Sequence, residues 1–318
     1  MPSKPFLPLI SVTVTVLLWA SAFVAIRHVG HDLSPGALSL GRLVVGSIVL
    51  GVVVLMRRGA PGDGTGGWPV GGGAWLRVLV CGVLWFGVYN VSLNAAEQRI
   101  DAGTAAMLVN IGPILIAILS GVLLGERFTG AFVAGAAVAF AGVVVIGLAT
   151  SHAHSADVWG VVLCLVAAVV YAIAVVAQKP LLASVSALRV TWLACTVGAV
   201  VCLPFAGQLV SQLSRAGAQT VWLVIYLGAL PTALAFTTWA YALARTSAGR
   251  LGVTTYLVPP IAILMGWAFL GETPVALAYV GGVLCLLGVA IARRKGKQPP
   301  ADAAPVEPAA AEKVERAS

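Results

Sequence analysis

The sequence predicts an all-α integral membrane protein: ten transmembrane helices arranged as two inverted five-helix repeats. Three observations carry that expectation. The composition is apolar and almost free of charge, ten stretches have membrane-spanning length, and the two halves of the chain match one another. Of 318 residues, 60% are hydrophobic and 9% are charged, with a mean hydropathy of +1.00. Soluble domains run ~45–50% apolar and ~25% charged, so this chain cannot cover a water-facing surface. A soluble enzyme and a disordered protein are both excluded.

A helix rises 1.5 Å per residue, and ~20 apolar residues cross a ~30 Å hydrocarbon core. The spans fall at residues 7–26, 35–56, 75–96, 102–124, 129–149, 158–178, 189–210, 220–243, 249–270 and 274–292. Ala20-Ser21-Ala22 has the look of a signal-peptide cleavage site, but the apolar run continues through Phe23 to Ile26, and the repeat requires this helix. Lys and Arg set the orientation, because short loops rich in them stay cytoplasmic. With the N-terminus inside, inner segments carry thirteen: Lys4, Arg57, Arg58, Arg77, Arg127, Lys179, Arg189, Arg245, Arg250, Arg293, Arg294, Lys295 and Lys297. Outer loops carry three, Arg27, Arg99 and Arg215. Both termini are therefore expected in the cytoplasm, and the protein in the plasma membrane as a multi-pass chain.

The Gly-rich segment 59–73 reads as an inner loop and lacks the Gly-Lys-Ser/Thr ending of a phosphate-binding loop. Residues 296–318 are Pro, Ala, Glu and Lys without apolar periodicity, which reads as a disordered cytoplasmic tail. The net charge of +8 does not point to nucleic acid, since the basic residues are scattered between apolar runs instead of clustered on one face. Cys81, Cys164, Cys195, Cys202 and Cys285 all lie inside apolar stretches and read as small buried residues, with no disulfide framework and no CxxC metal site.

Residues 96–143 align with 242–289 at a constant shift of 146 and eleven identities. Arg99 meets Arg245, Ala102-Gly103 meets Ala248-Gly249, Pro113 meets Pro259, Leu124-Gly125-Glu126 meets Leu270-Gly271-Glu272, and Gly135 and Gly142 meet Gly281 and Gly288. A shift of 152 continues the match upstream, with Trp19-Ala20 opposite Tyr171-Ala172 and Arg27 opposite Lys179. The expected units are residues 1–150 and 151–295, followed by the tail. Five helices is an odd number, so the halves insert in opposite senses, an arrangement typical of secondary transporters.

An aromatic-Ala start, a proline in the fourth helix, Leu-Gly-Glu closing it and a Gly-rich fifth helix occur in that order in both halves. In this the chain resembles the EamA-type branch of the drug/metabolite transporter superfamily over residues 7–292. The resemblance implies a ten-helix exporter or exchanger of small metabolites, amino acids among them, with its substrate cavity between the halves. The second half departs from the pattern where Ala194 stands opposite Arg42.

Arg42 is the only charged residue well inside a span, about 10 Å from the outer end of its helix. Its planar fork suits a substrate carboxylate; the competing readings are snorkelling, or structural pairing with Glu97 or Asp101. Pro113 and Pro259 remove one backbone hydrogen bond each near the middle of the fourth and ninth helices, where interruptions border transporter sites. Asn90, Asn94 and Asn110 are buried amides that either line the cavity or tie helices together. Trp19, Ser21, Tyr171 and Tyr256 complete the candidate substrate wall; Tyr89, Gln178, Trp192, Trp239 and Tyr241 are weaker members, with Gln178 expected to face water. The paired glycines at i, i+7 read as a seam between the fifth and tenth helices.

Catalysis is not expected, because no span offers a nucleophile–base pair. His28, His31, His152 and His154 lie in loops or at span edges, and His152, His154 and Asp157 read as solvated. Neither a cofactor nor a metal is expected. The near-membrane acids sit at helix ends or in loops, which makes proton coupling the weaker case. The partners expected are a small-molecule substrate and the bilayer, with no nucleic acid, and a monomer is compatible with the sequence. The rival class is a non-transporting membrane scaffold or sensor that keeps the repeat fold.

Overall fold

The computed structural model describes residues 6–56, 67–99, 108–150, 158–270 and 276–294. All secondary structure among them is helical. In chain order the helices are α1 (Phe6–Val29), α2 (Pro35–Met56), α3 (Gly72–Glu97), α4 (Gly112–Leu124), α5 (Gly130–Thr150), α6 (Val158–Leu181), α7 (Ala187–Val201), α8 (Ala218–Leu243), α9 (Ala248–Phe269) and α10 (Ala276–Ala292). Among the described residues α1, α2, α3, α6, α8 and α9 are each long and apolar enough to cross a bilayer. Large apolar side chains point outward along them, as in Ile48, Ile173 and Trp222. Water would penalise such a surface; lipid does not. The tail and residues 152 to 157 lie outside the described residues.

Four helices depart from the uninterrupted spans expected. α7 ends at Val201, and Leu203–Leu213 continues it at a 52° bend, because Pro204 sits in the short 3₁₀ turn Leu203–Phe205 and cannot continue the ladder. α3 and α8 carry π-helical segments, Cys81–Tyr89 and Gly228–Leu234; in α8 the widened turn holds Pro231. α9 passes through a 3₁₀ stretch at Thr254–Leu257, and Pro259 follows in the first turn of the renewed α-helix Val258–Leu270. Pro113 likewise occupies the first turn of α4, where a missing N–H costs nothing. Pro113 and Pro259 thus sit at the start of a helical segment instead of kinking one.

The helices interleave. α1 packs on α8 and α9, while α6 packs on α3 and α4. α2 packs on α8, and α7 on α3. α2 also meets α7, α4 meets α9, and α5 meets α10. Each of these contacts recurs when a helix is exchanged for the one five places along. Close backbone approaches follow the same rule. A Cβ at Gly228 would fall 2.7 Å from the Arg42 carbonyl and 2.5 Å from Val45 Cβ; one at Gly82 would fall 2.8 Å from the Ala194 carbonyl and 2.5 Å from Val197 Cβ.

The glycine seam is present. A Cβ at Gly135 would meet the Gly288 carbonyl at 2.6 Å, and one at Gly142 the Gly281 carbonyl at 2.6 Å. Position rises along α5 as it falls along α10, so the two helices are antiparallel. Cys285 donates its thiol to the Ala139 carbonyl at 3.5 Å across this seam, and all five cysteines are free and buried, as expected.

Gly288→Ala places a methyl 2.2 Å from the Ala139 nitrogen. It is expected to cost about 1–3 kcal/mol through overpacking, read as a lowered Tm in detergent. Gly130→Ala, which meets nothing within 4 Å, should leave Tm unchanged; equal behaviour of the two variants would contradict the seam.

Candidate functional site

The widened turn of α3 presents Trp85, Tyr89 and Asn90 to the bundle interior, where they face α1, α2, α4, α6, α8 and α9 around a cavity. It holds about 730 Å³ of empty space, its open mouth included. The lining of α1 and α3 comes from their C-terminal halves and that of α4 from its start. The cavity thus lies toward the end of the bundle where α1 and α3 finish. Six of the ten leading candidates from the sequence line it, Trp19, Arg42, Asn90, Asn110, Pro113 and Tyr171, as does Tyr89 among the weaker ones.

The other four do not reach it. Ser21 Oγ pairs with the Tyr226 hydroxyl at 2.6 Å. Asn94 Nδ2 donates to Ser39 Oγ at 3.1 Å, which ties α3 to α2. Tyr256 is buried in the cluster beneath the α5–α10 seam, its ring 6.2 Å from Phe140. Pro259 is buried behind Val258, which itself lines the cavity. Gln178, expected to face water, is buried, and its Oε1 has no hydrogen-bond partner among the described residues.

Arg42 neither snorkels nor forms a salt bridge among the described residues. It is buried, and its Nε donates to Thr232 Oγ1 at 3.0 Å. That bond crosses from α2 to the π segment of α8, where the absent side chain of Gly228 lets the two backbones close. No hydrogen bond among the described residues engages the two terminal guanidinium nitrogens, so the fork is left toward the cavity that Arg42 lines.

The opposite wall is aromatic. Trp85 lies 4.9 Å from Phe236 and 5.2 Å from Tyr171, and Trp19 lies 5.3 Å from Phe236 and 5.1 Å from Trp239 (ring centroids). Trp19 Nε1 is buried without a hydrogen-bond partner among the described residues, at a cost of about 1–3 kcal/mol, and the buried Tyr171 hydroxyl has only the Thr255 hydroxyl near it. A polar ligand group would relieve that cost. Asn90 Nδ2 takes up the Phe86 and Trp85 carbonyls of the π segment at 2.9 and 3.2 Å, so this amide also supports the turn that carries Trp85.

Sequence reasoning missed Trp85, Phe236, Thr255 and the Arg42 anchor Thr232. Two were reachable: Phe236 stands opposite Asn90 and Thr255 opposite Val109 at the shift of 146, and all four line the cavity. Trp85 depends on the π turn, which leaves no periodic signal.

The far end is tied together by charge-assisted hydrogen bonds. Gly125, at φ 66°, ends α4 in the left-handed region that glycine adopts without strain, and so turns Glu126 onto the start of α9. The carboxylate accepts hydrogen bonds from the Ala248 and Gly249 amides at 2.6 and 3.1 Å, a favourable place for an anion at a helix N-terminus. Lys179 at the end of α6 donates to the Leu243 and Thr246 carbonyls that finish α8. Opposite charges thus hold the two ends of the α8–α9 connection. The Leu-Gly-Glu motif is a structural device here, placing an acid where amides are unpaired.

The profile of the EamA-like transporter family matches residues 7–148 and again residues 158–294. The chain belongs to that family. It is accordingly a membrane transporter of small molecules and not an enzyme. The chain is 39% identical over 292 residues to a probable terminal-alkyne amino-acid exporter of Streptantibioticus cattleyicolor, covering 90% of this chain and 93% of that one. It is 30% identical to an uncharacterized transporter of Archaeoglobus fulgidus, over 90% and 98% of the two chains. A crystal structure superposes with a TM-score of 0.73 at 24% identity, over 91% of this chain and 99% of that one, a likeness of fold.

Ala22 lines the cavity, whereas Ala174, its counterpart at the shift of 152, is fully buried. With the native cysteines replaced, cysteine at Ala22 should react with a small hydrophilic thiol reagent and cysteine at Ala174 should not. The reverse order would contradict the position of the cavity.

Proposed function

We propose that the protein is a plasma-membrane exporter or exchanger of amphipathic amino acids and related metabolites. It works by alternating access around the cavity, between inverted five-helix repeats at residues 1–150 and 151–295. The observation that carries this reading is an arginine held by one nitrogen, its terminal fork without a hydrogen bond among the described residues, facing an aromatic wall inside the membrane. A bidentate fork matches a carboxylate, while Trp19, Trp85, Tyr171 and Phe236 offer flat apolar surface to a side chain. Asn90 and Asn110 add neutral polar groups that orient a ligand without trapping it.

Support for the inverted repeat comes from the helix contacts that survive exchange of the halves, the antiparallel seam and the two-fold family match. Ten spans with cytoplasmic termini follow from the charge bias of the loops; they make the tied Glu126–Lys179 end cytoplasmic and the cavity outward-facing. The relative named for terminal-alkyne amino acids favours a slender, π-rich side chain, which suits this wall. A cysteine at Gly217 should then label from outside the cell and one at Arg245 only after permeabilisation; the opposite result would reverse the orientation.

The transport test uses proteoliposomes and 2-aminopent-4-ynoic acid. Uptake should saturate and accelerate with the same compound on the far side. Arg42→Lys should weaken it, and Arg42→Ala should lower it about tenfold or more, since a lost charge-assisted bidentate contact is worth at least ~1.4 kcal/mol. Parental flux through well-folded Arg42→Ala would overturn the role of Arg42, and absence of any flux would overturn the substrate class.

A further inference from the structure

Arg42, whose terminal nitrogens carry no hydrogen bond among the described residues, is not the only charge at this end of the bundle without an opposite charge bonded to it. Glu97 closes α3, one turn beyond Leu93 on the face that lines the cavity through Tyr89 and Leu93. No salt bridge or hydrogen bond among the described residues reaches its carboxylate, and its Oε1 is buried. Arg42 is close enough to interact with it electrostatically, as is Arg27, and the hydrogen bond that Arg42 makes goes to Thr232 and not to Glu97. A cation in the cavity wall and an anion one helical turn beyond its lining therefore stand near each other without a direct bond. Arg42 is buried and Glu97 half-buried, and holding opposite charges in that condition is costly unless a third group completes the pair.

The two charges also break the symmetry of the bundle together. The counterpart of Arg42 is Ala194 and that of Glu97 is Leu243, both fully buried. Thr232, which holds Arg42, has Phe86 as its counterpart. The first half thus carries a cation and an anion where the second carries two apolar residues, and the second half carries the anchor Thr232 where the first carries Phe86. A pair needed to hold the fold would be bonded; this one is spaced.

Resting on the substrate reading above, we infer that Glu97 is the counter-charge for the α-ammonium group of a zwitterionic amino acid whose carboxylate sits on Arg42. The cavity then selects amino acids over simple carboxylates. Rejection works by the same physics: a ligand without the ammonium leaves the enclosed Oε1 of the half-buried Glu97 carboxylate unpaired, and a site built for a polar group discriminates against analogues that lack it. Arg42 alone would accept either.

The test measures binding of 2-aminopent-4-ynoic acid and of pent-4-ynoate, its deaminated counterpart, to the full chain in nanodiscs by isothermal titration calorimetry. The parent should prefer the amino acid by about tenfold or more. Glu97→Gln keeps the shape and removes the charge; it should weaken the amino acid about tenfold and leave pent-4-ynoate within about twofold, so that the preference collapses. Glu97→Asp, which keeps the charge on a shorter arm, should retain part of the preference and serves if Glu97→Gln does not fold. Equal weakening of both compounds would make Glu97 a structural or coupling residue and overturn the inference, as would an unchanged ratio. If the parent binds neither compound, the substrate reading itself falls.

Discussion

Close backbone approach at glycine is the constraint on which this structure depends. Lipid tails are as apolar as the helices they surround, so burial from water does not drive helices together inside a bilayer. What remains is packing, and packing is tightest where a side chain is absent. Gly135, Gly142, Gly281 and Gly288 let α5 and α10 meet backbone to backbone. Gly82 and Gly228 do the same where α3 meets α7 and α8 meets α2. The second of these contacts brings Thr232 within hydrogen-bond range of Arg42. A site residue is thus placed by the rule that assembles the bundle.

A symmetric scaffold with an asymmetric lining is the functional consequence. The helix contacts exchange between halves, and in the alternating-access reading proposed above that exchange would give two states of similar energy, one open to each side. The lining does not exchange. Arg42 faces the cavity from one half only, and its counterpart Ala194 is buried against α3. At the tied end Glu126 and Lys179 bind the helix ends of the α8–α9 connection through a few charge-assisted hydrogen bonds. Such contacts are strong enough to hold one state and few enough to release.

Much of this was legible in the chain. Apolar length gave the helices, and the internal match gave the seam with the right four glycines. Arg42, Trp19, Tyr171, Asn90, Asn110 and Pro113 could be nominated because polar and aromatic residues are conspicuous inside a span. Ser21, Asn94 and Tyr256 were conspicuous for the same reason, but they turn away to Tyr226, to Ser39 and to the seam cluster around Phe140. Composition cannot tell a buried amide that bonds a neighbouring helix from one that faces a cavity. The π segments in α3 and α8 were invisible, because a single widened turn shifts the register without altering which residues are apolar. Trp85 and Thr232 depend on those turns, so they had no signal of their own.

The central claim is that an amino acid is held between the Arg42 fork and the aromatic wall of this cavity. An experimentally determined structure of the full chain with 2-aminopent-4-ynoic acid bound tests it most directly. The account predicts ligand density with its carboxylate on the terminal nitrogens of Arg42 and its alkyne against Trp19, Trp85 and Tyr171. Density elsewhere, with the Arg42 fork closed instead onto a carboxylate of the protein, would contradict it.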